Sequence, residues 1–232
     1  MFSFNQLAPR RMANGFQIRW LNLSLFSLGC LVMTLHSQDV TPVVPERRAG
    51  VIFEGSFESA DITLPIQNAR KTRLAAYFEW DFGVRQFTKA SWKERGLTEE
   101  ALLTLSREVA DSIAARIEAD YIRDARGVIL YATVSDKDPF LTSVMLSPKL
   151  LERFREFLGD RIHVILLDRQ QIYLFPATGG KLAEYGPTLV EEFRSTRLPV
   201  SLEVFLLDES GFQVVGELER EEPTLEEFPA PE

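Results

Sequence analysis

The stretch from residue 98 to residue 121 has the apolar period of an α-helix, whereas nearly every other apolar run in the chain has the length of a β-strand. Thr98 is a favoured N-cap residue, and Glu99 and Glu100 stand in the first turn, where acids are stabilising. Apolar residues then follow at helical spacing: Leu102, Leu105, Val109, Ile113 and Ile117. We therefore predict an amphipathic helix of about five turns.

A second helix is predicted to begin at Pro148. Ser147 is suited to the N-cap, and proline is favoured directly after it. Gly159 stands where the end of a helix needs left-handed backbone. One apolar face lies between these ends: Leu150, Leu151, Phe154, Phe157 and Leu158. A third helix, with a weaker apolar pattern, is predicted after Gly186 and Pro187.

Short apolar runs with strand composition surround these helices. The predicted strands early in the chain are "VIFEG" from Val51, "DITLP" from Asp61 and "RLAAYFEWDF" from Arg73. The continuous apolar run "GVILYATV", residues 127–134, predicts a central strand covered on both faces. Two hairpins are predicted at residues 161–176 and 201–218, because short polar turns separate their apolar halves. The predicted fold is α+β, with a mixed, largely antiparallel sheet and about three helices.

Residues 1–37 are interpreted as a targeting segment rather than part of the fold. They contain three arginines and no acid, and no residue from Trp20 to Gln38 is charged. Because the apolar stretch is interrupted and shorter than the ~20 residues of a spanning helix, a signal peptide cleaved between Ser37 and Gln38 is favoured. The predicted location is therefore exported, periplasmic or secreted. The alternative is an uncleaved anchor, residues 20–38, in the inner membrane, through which alone the protein would touch a membrane.

Two further interpretations of this segment stay open. Translation from Met12 instead of Met1 would give a more compact basic start. Cys30, the one cysteine of the chain, would be the lipidation point of a bacterial lipoprotein signal. If the segment is removed after Ser37, no cysteine is left, so apolar packing must hold the fold without disulfides.

The chain is divided into four predicted parts. Residues 1–37 are the signal peptide or anchor, residues 38–50 a linker, residues 51–218 the α+β domain and residues 219–232 a disordered acidic tail. Seven glutamates, three prolines and one arginine lie between Glu217 and the end of the chain. The whole chain has a formal net charge of −8, and loss of the three N-terminal arginines would bring it to about −11. Nucleic acid is a poor partner for such a surface.

Part of the chain resembles the YtpQ-like bacterial proteins, a family of unknown function. The residues that carry the resemblance are "SVMLSPKLLERFREFLGDRIHVILL", "DRQQIYLFP" and "LPVSLEVFLLDESG". The likeness spans residues 98–216 and lies in apolar spacing rather than in a catalytic motif. It implies the family's Ser-Pro-started helix, its hairpin and its strand start at Pro199 and Ser201. An Arg-Asp pair that often marks the hairpin turn is replaced here by Arg169-Gln170, and family members typically lack an export segment.

The residue types for a metal or cofactor site are scarce. Without residues 1–37 the chain keeps one histidine, His163, and no cysteine. Asp136 and Asp138 resemble the start of a calcium-binding EF-hand loop, but Phe140 stands where a third ligand belongs. Neither a phosphate-binding loop nor a dinucleotide fingerprint is found in the sequence. We therefore predict no metal and no cofactor.

A hydrolase-like site would have to be assembled in space. Its components would be Ser143 or Ser147, His163 and Asp168, but no nucleophile-elbow motif surrounds either serine. His163 lies in a strand run, where a lone histidine is more often structural. The sequence therefore favours a non-enzymatic binding or structural module of the cell envelope, with an unknown protein or envelope component as partner. The alternative is a hydrolase-like enzyme.

The stretch "DKDPFLTSVMLSP", residues 136–148, is predicted to be a structural joint between a strand and a helix. Ser147→Ala should cost ~0.5–2 kcal/mol because a helix cap is lost. The two acids are expected to be exposed without fixed partners, so their replacement by Asn should change stability by no more than about ±0.5 kcal/mol. Loops after buried strands often bind ligands, so Asp138, Ser143 and Arg169 are the predicted contact surface.

Overall fold

The computed structural model of this protein describes residues 47–218. The strands are β1 (Ala49–Gly55), β2 (Thr63–Leu64), β3 (Thr72–Trp80), β4 (Gly83–Gln86), β5 (Asp120–Arg123), β6 (Ile129–Ser135), β7 (Ile162–Asp168), β8 (Gln171–Pro176), β9 (Glu203–Asp208) and β10 (Gly211–Glu217). The helices are α1 (Lys89–Glu94), α2 (Glu99–Arg116), α3 (Pro148–Leu158) and α4 (Leu182–Ser195), with a 3₁₀ helix at Leu141–Leu146. The predicted signal or anchor and the acidic tail lie outside the described residues.

The strands form two antiparallel sheets. The first has the order β1-β3-β2, with β4 also paired to β3, and the second has the order β10-β9-β7-β8-β6-β5. The predicted α+β class is confirmed, but the strands make two sheets rather than one. Each strand pairing described in residues 47–218 is antiparallel. Short turns join the pairs β3–β4, β5–β6, β7–β8 and β9–β10 directly, whereas β1–β3, β6–β8 and β7–β9 pair across longer connections.

The helices α2 and α3 begin where their caps predict. Thr98 Oγ1 accepts a hydrogen bond from Ala101 N at 3.2 Å, and Ser147 Oγ accepts one from Lys149 N at 3.2 Å. Gly159 ends α3 with a φ of 89°. None of the helices in residues 47–218 combines the length and the apolar character needed to cross a membrane.

The helix α4 begins earlier than predicted. Its first residue is Leu182, so Gly186 and Pro187 stand inside the helix instead of before it. Proline removes one backbone hydrogen bond from a helix. Burial of Leu189 against the second sheet stabilises α4 despite that loss, since helices in proteins depend mostly on packing.

The strands covered on both faces are β7 and β8, not the predicted run at residues 127–134. Val164 and Leu166 belong to the larger core, whereas Ile165 and Leu167 belong to a smaller core that α4 covers. The predicted central strand, β6, lies next to the edge strand β5 and is half-exposed over its first three residues. A continuous apolar run therefore identified a strand correctly and misplaced it in the sheet.

The outer edge of β1 is covered by hydroxyl groups. Val51 N donates to Ser106 Oγ of α2 at 3.0 Å, and Phe53 N donates to Thr142 Oγ1 of the 3₁₀ helix at 3.2 Å. A bare edge strand would leave these backbone groups unpaired. Both hydroxyls are fully buried, so they serve to join the first sheet to the helices.

Candidate functional site

The three predicted contact residues do not form one site. Asp138 follows β6 and lies in one group of charged side chains, and Arg169, in the β7–β8 turn, lies in another. Ser143 is fully buried in the 3₁₀ helix and donates to Phe140 O at 2.7 Å. Its hydroxyl is therefore bound within its own helix and belongs to neither group.

Arg169 reaches a carboxylate that the sequence analysis missed. We call this group the Glu54 cluster, and its members are Glu54, Arg73, Tyr77, Gln86 and Arg169. Glu54, in β1, is fully buried. Its Oε1 accepts from Arg73 Nη2 at 2.9 Å, and its Oε2 accepts from Tyr77 Oη at 2.8 Å and from Arg169 Nη2 at 3.2 Å. The cluster thus joins the first sheet to a turn of the second.

The charged and polar groups of the Glu54 cluster bind one another. Burial raises the pKa of the Tyr77 hydroxyl, and the nearby Arg169 opposes that rise, so the phenol stays a neutral donor at physiological pH. Two guanidinium groups and one phenol satisfy a single carboxylate, which is the condition for keeping a charge inside a protein. This arrangement holds the two sheets together and presents neither a nucleophile nor a base to a substrate.

One signal in the sequence points to Glu54. The run "VIFEG" is otherwise apolar, and a carboxylate in a buried strand requires a cationic partner. Which arginine supplies the charge is not visible in the sequence, because Arg169 lies 115 residues further along the chain.

The second group surrounds Asp138, and we call it the Asp138 cluster: Arg48, Glu79, Arg116, Asp136 and Asp138. The Asp138 side chain is only 7% exposed, and its Oδ2 accepts from Arg48 Nη1 at 2.7 Å and from Arg116 Nη2 at 2.5 Å. Asp136 pairs with the same Arg116. The expectation that the two acids lack fixed partners is wrong, because arginines from β1's start and α2's end meet in this loop.

Backbone hydrogen bonds also hold this loop. Asp136 Oδ1 accepts from Asp138 N at 2.7 Å, and Asp138 Oδ1 accepts from Phe140 N at 2.9 Å, which makes two successive Asx turns. The pKa of the Asp136 carboxyl lies below its usual range, mainly because the carboxylate accepts a hydrogen bond from the Asp138 N–H and also because it pairs with Arg116. Hydrogen bonds to the carboxylates of Glu79 and, to a smaller extent, Asp138 raise the pKa of the Arg48 guanidinium. Both carboxylates thus bind groups of the same chain and hold the loop in place, which is the role expected of a structural joint.

No metal centre is formed by the described part of the chain. Within residues 47–218, no three side chains of the types His, Cys, Asp and Glu are placed to hold an ion together. The two acids that resemble the start of a calcium loop face arginines instead. A cation would have to displace those arginines to bind there.

The components of a hydrolase triad are engaged separately. Ser147 Oγ donates to Asp111 Oδ1 at 2.5 Å, and Ser143 is bound to Phe140. His163, in β7, is a hydrogen-bond partner of neither serine. Burial lowers the pKa of its imidazole, and the nearby positive charge of Arg161 lowers it further. Asp168 accepts from the backbone N–H groups of Gln170 and Leu198 and so shapes the turn.

An open groove lies between α3 and the β9–β10 turn, and we call it the α3–turn groove. Its volume is about 580 Å³. Apolar residues form its floor: Met145, Leu151, Leu207 and Phe212. Charged and polar residues form its rim: Arg107, Glu152, Arg155, Glu209 and Ser210. This volume lies within the range of ligand-binding clefts.

One ion pair crosses the α3–turn groove. Arg155 Nη2 of α3 and Glu209 Oε1 of the turn lie 2.7 Å apart. Both side chains are exposed, so the pair contributes no more than about 1 kcal/mol and yields readily to a ligand. The sequence does not reveal this groove, because its two walls are distant in the chain and meet only through packing.

Comparison with protein-family models, with curated proteins and with solved structures finds no match for this chain. The resemblance to the YtpQ-like proteins therefore stays a prediction. The function has to be argued from the geometry of the α3–turn groove and the two charged clusters.

Proposed function

We propose that this protein is a non-enzymatic binding module of the cell envelope, exported by its N-terminal segment and akin to the YtpQ-like proteins. The observation that carries the proposal is the contrast between its closed charged clusters and its open α3–turn groove. Glu54 and Asp138 are each surrounded by arginines of the same chain. The groove keeps an apolar floor and polar rim available to a partner.

The groove's position on the second sheet favours an extended peptide as its occupant. Strand β10 is an edge strand, and Val214 N donates away from β9 to Gln67 O at 3.1 Å. In an antiparallel strand the residue two positions earlier directs its N–H to the same side, so the Phe212 N–H lies on the outer edge of β10, and Phe212 is also one of the residues that line the groove. A peptide strand added to such an edge gains backbone hydrogen bonds while its side chains fill the cleft.

Photo-crosslinking in the cells that produce the protein tests this proposal. The photoreactive amino acid p-benzoylphenylalanine replaces Glu152, which lines the groove, or Arg153, which is exposed and is not among the residues that line it. We expect adducts from position 152 and none from position 153. The crosslinked segment, once sequenced, is then synthesised and its Kd measured with the purified full chain.

Bulk placed in the groove should block that peptide. Ser210→Trp, in the groove wall, should weaken binding by at least about tenfold, because one lost hot-spot contact is worth roughly 1.4 kcal/mol or more. Arg153→Trp is the matched control and should leave the Kd unchanged. Equal adducts at positions 152 and 153 would contradict the proposal. So would hydrolysis of ester substrates that is lost in His163→Ala, which would support the hydrolase alternative.

A further inference from the structure

The β3–β4 turn carries an aromatic side chain where turns usually carry polar ones. Trp80 and Gly83 are paired, so Asp81 and Phe82 alone form the turn. Asn, Asp and Gly are the favoured residues of two-residue turns. Phe82 is 84% exposed there, the most exposed of the large apolar residues in the described part of the chain. A single exposed apolar residue is common, but its surroundings set this one apart.

Aromatic rings and arginines alternate behind Phe82. The Phe82 and Trp80 rings are 5.2 Å apart in an edge-to-face arrangement, and the guanidinium of Arg85 lies 4.3 Å from the Trp80 ring. Further along, Arg95 lies 4.5 Å from the ring of Phe78. We call Trp80, Asp81, Phe82 and Arg85 the β3–β4 apex. Its aromatic rings and cation form one continuous face.

The base of this face is anchored in the core. The Phe78 and Phe87 rings are 4.9 Å apart, and Phe87 is fully buried. Trp92 packs edge-to-face on Phe87 at 5.6 Å. The apex is therefore held out from the body of the protein by a packed aromatic row, and presenting its rings requires no rearrangement of the fold.

The chain enters the fold beside this apex. Arg47 pairs with Asp81 at 2.5 Å, and Glu79 N donates to Arg48 O at 2.8 Å. Residues 39–46 span no more than about 30 Å even when fully extended. If the uncharged apolar segment at residues 20–38 stays in a membrane as an anchor, this short connection brings that membrane within reach of the apex.

We propose that the β3–β4 apex docks on an anionic lipid surface, with Phe82 and Trp80 among the headgroups and Arg85 on a lipid phosphate. Aromatic rings with a polar edge favour the membrane–water interface, and arginine pairs well with phosphate. Arg85 makes no ion pair within residues 47–218. The inference rests on the envelope location in the proposed function and is independent of the α3–turn groove.

Trp80 itself reports this contact. The chain has three tryptophans, Trp20, Trp80 and Trp92, so Trp20→Phe with Trp92→Phe leaves Trp80 alone. This full chain is reconstituted in phosphatidylcholine–phosphatidylglycerol vesicles, with or without lipids brominated near the headgroup. We expect roughly a twofold loss of Trp80 emission with the brominated lipids, because interfacial tryptophan lies within contact of the quencher.

Two variants in the same background separate insertion from charge. Phe82→Ser should abolish most of the quenching, because it removes the exposed apolar group at the tip. Arg85→Glu should reduce the quenching only where phosphatidylglycerol is present, because it opposes the lipid charge. Glu156→Ser, on exposed α3, is the control and should leave the quenching unchanged.

Trp80 emission that is the same with and without brominated lipids would overturn the inference. So would quenching by an added oligonucleotide in place of vesicles. Failure of this test with adducts retained at position 152 would leave the proposed function standing. Loss of those adducts with quenching retained would contradict the role proposed for the groove and support the lipid contact.

Discussion

The Glu54 cluster and the β3–β4 apex share strand β3 and use arginine in opposite ways. At the start and in the middle of the strand, Arg73 and Tyr77 bind the buried carboxylate of Glu54. At the last end, Arg85 of the neighbouring strand lies over Trp80 in contact with solvent. The side chains of the Glu54 cluster are thus bound to one another, whereas the Arg85 guanidinium and the rings beside it remain available to a partner.

Burial accounts for this difference. A guanidinium taken out of water needs a carboxylate with good hydrogen-bond geometry, and losing that partner leaves a costly buried charge. An exposed guanidinium keeps most of its hydration and contributes little to stability. We therefore expect changes in the Glu54 cluster to affect folding and changes in the apex to affect binding.

Glu54→Gln should have the largest effect on stability. It removes the one carboxylate of a buried cluster, so Arg73 and Arg169 lose the buried countercharge that they share. We expect a loss of about 3–5 kcal/mol in the free energy of unfolding, measured by urea denaturation. Glu58→Gln is the control, since Glu58 is exposed and 3.9 Å from Arg169, and it should change stability by no more than about 0.5 kcal/mol. Equal effects of the two changes would remove the distinction between the regions.

Asp138→Asn should rank second. The side chain is nearly buried and accepts hydrogen bonds from Arg48 and Arg116, so removing its charge weakens two charge-assisted bonds. We expect a loss of about 1–3 kcal/mol, larger than the ±0.5 kcal/mol that the sequence suggested. Asp136→Asn should cost less, because Asp136 is more exposed and pairs with one arginine. Thermal unfolding of both variants checks the order, and an unchanged Tm for Asp138→Asn would restore the original expectation.

Ser147→Ala should have an intermediate effect. Ser147 lies outside both regions, caps α3 through Lys149 N and donates to Asp111 of α2. The expected loss is ~0.5–2 kcal/mol by chemical denaturation. Thr104→Ala, on the exposed face of α2, serves as the control, since the Thr104 hydroxyl donates only to Glu100 O within the same helix. A cost for Ser147→Ala no greater than that of the control would show that the cap is dispensable.

Phe82→Ser should have the smallest effect on stability and a large effect on lipid contact. The ring is exposed, so its removal should change the free energy of unfolding by no more than about ±0.5 kcal/mol. Differential scanning calorimetry, paired with the vesicle measurement, checks both halves. A destabilisation comparable to that of Ser147→Ala would make Phe82 part of the fold and weaken the contrast with the Glu54 cluster.

Several elements follow from the sequence alone because their causes are local. The Thr98 and Ser147 caps set the starts of α2 and α3 within one turn of chain. The polar turns at residues 169–170 and 209–210 separate the strands of two hairpins. The short elements β4 and α1 are not predicted, because four to six residues carry too little apolar pattern to identify a strand or helix. Strand β5 begins at Asp120, inside the stretch assigned to the first helix, because α2 ends at Arg116 rather than near Tyr121.

The candidate site was less predictable than the fold. Arg169 and Asp138 lie in the two charged clusters, but the sequence does not predict their partners. Arg48 and Asp138 are 90 residues apart in the chain, and Arg169 and Glu54 are 115 apart. Periodicity describes neighbours within about ten residues, so such pairs leave no trace in it.

By itself, the sequence determined where α2, α3 and the turns of two hairpins begin and which runs are apolar enough to be strands, and it predicts a targeting segment in the first 37 residues. These features depend on caps, turn residues and periodicity, which act over one or two turns of chain. Only the tertiary structure decided which arginine neutralises which acid, that β7 and β8 and not β6 are buried on both faces, and that an aromatic apex stands beside the chain's entry into the fold. Strand register and side-chain packing make those choices, because they bring together residues that the chain itself keeps far apart.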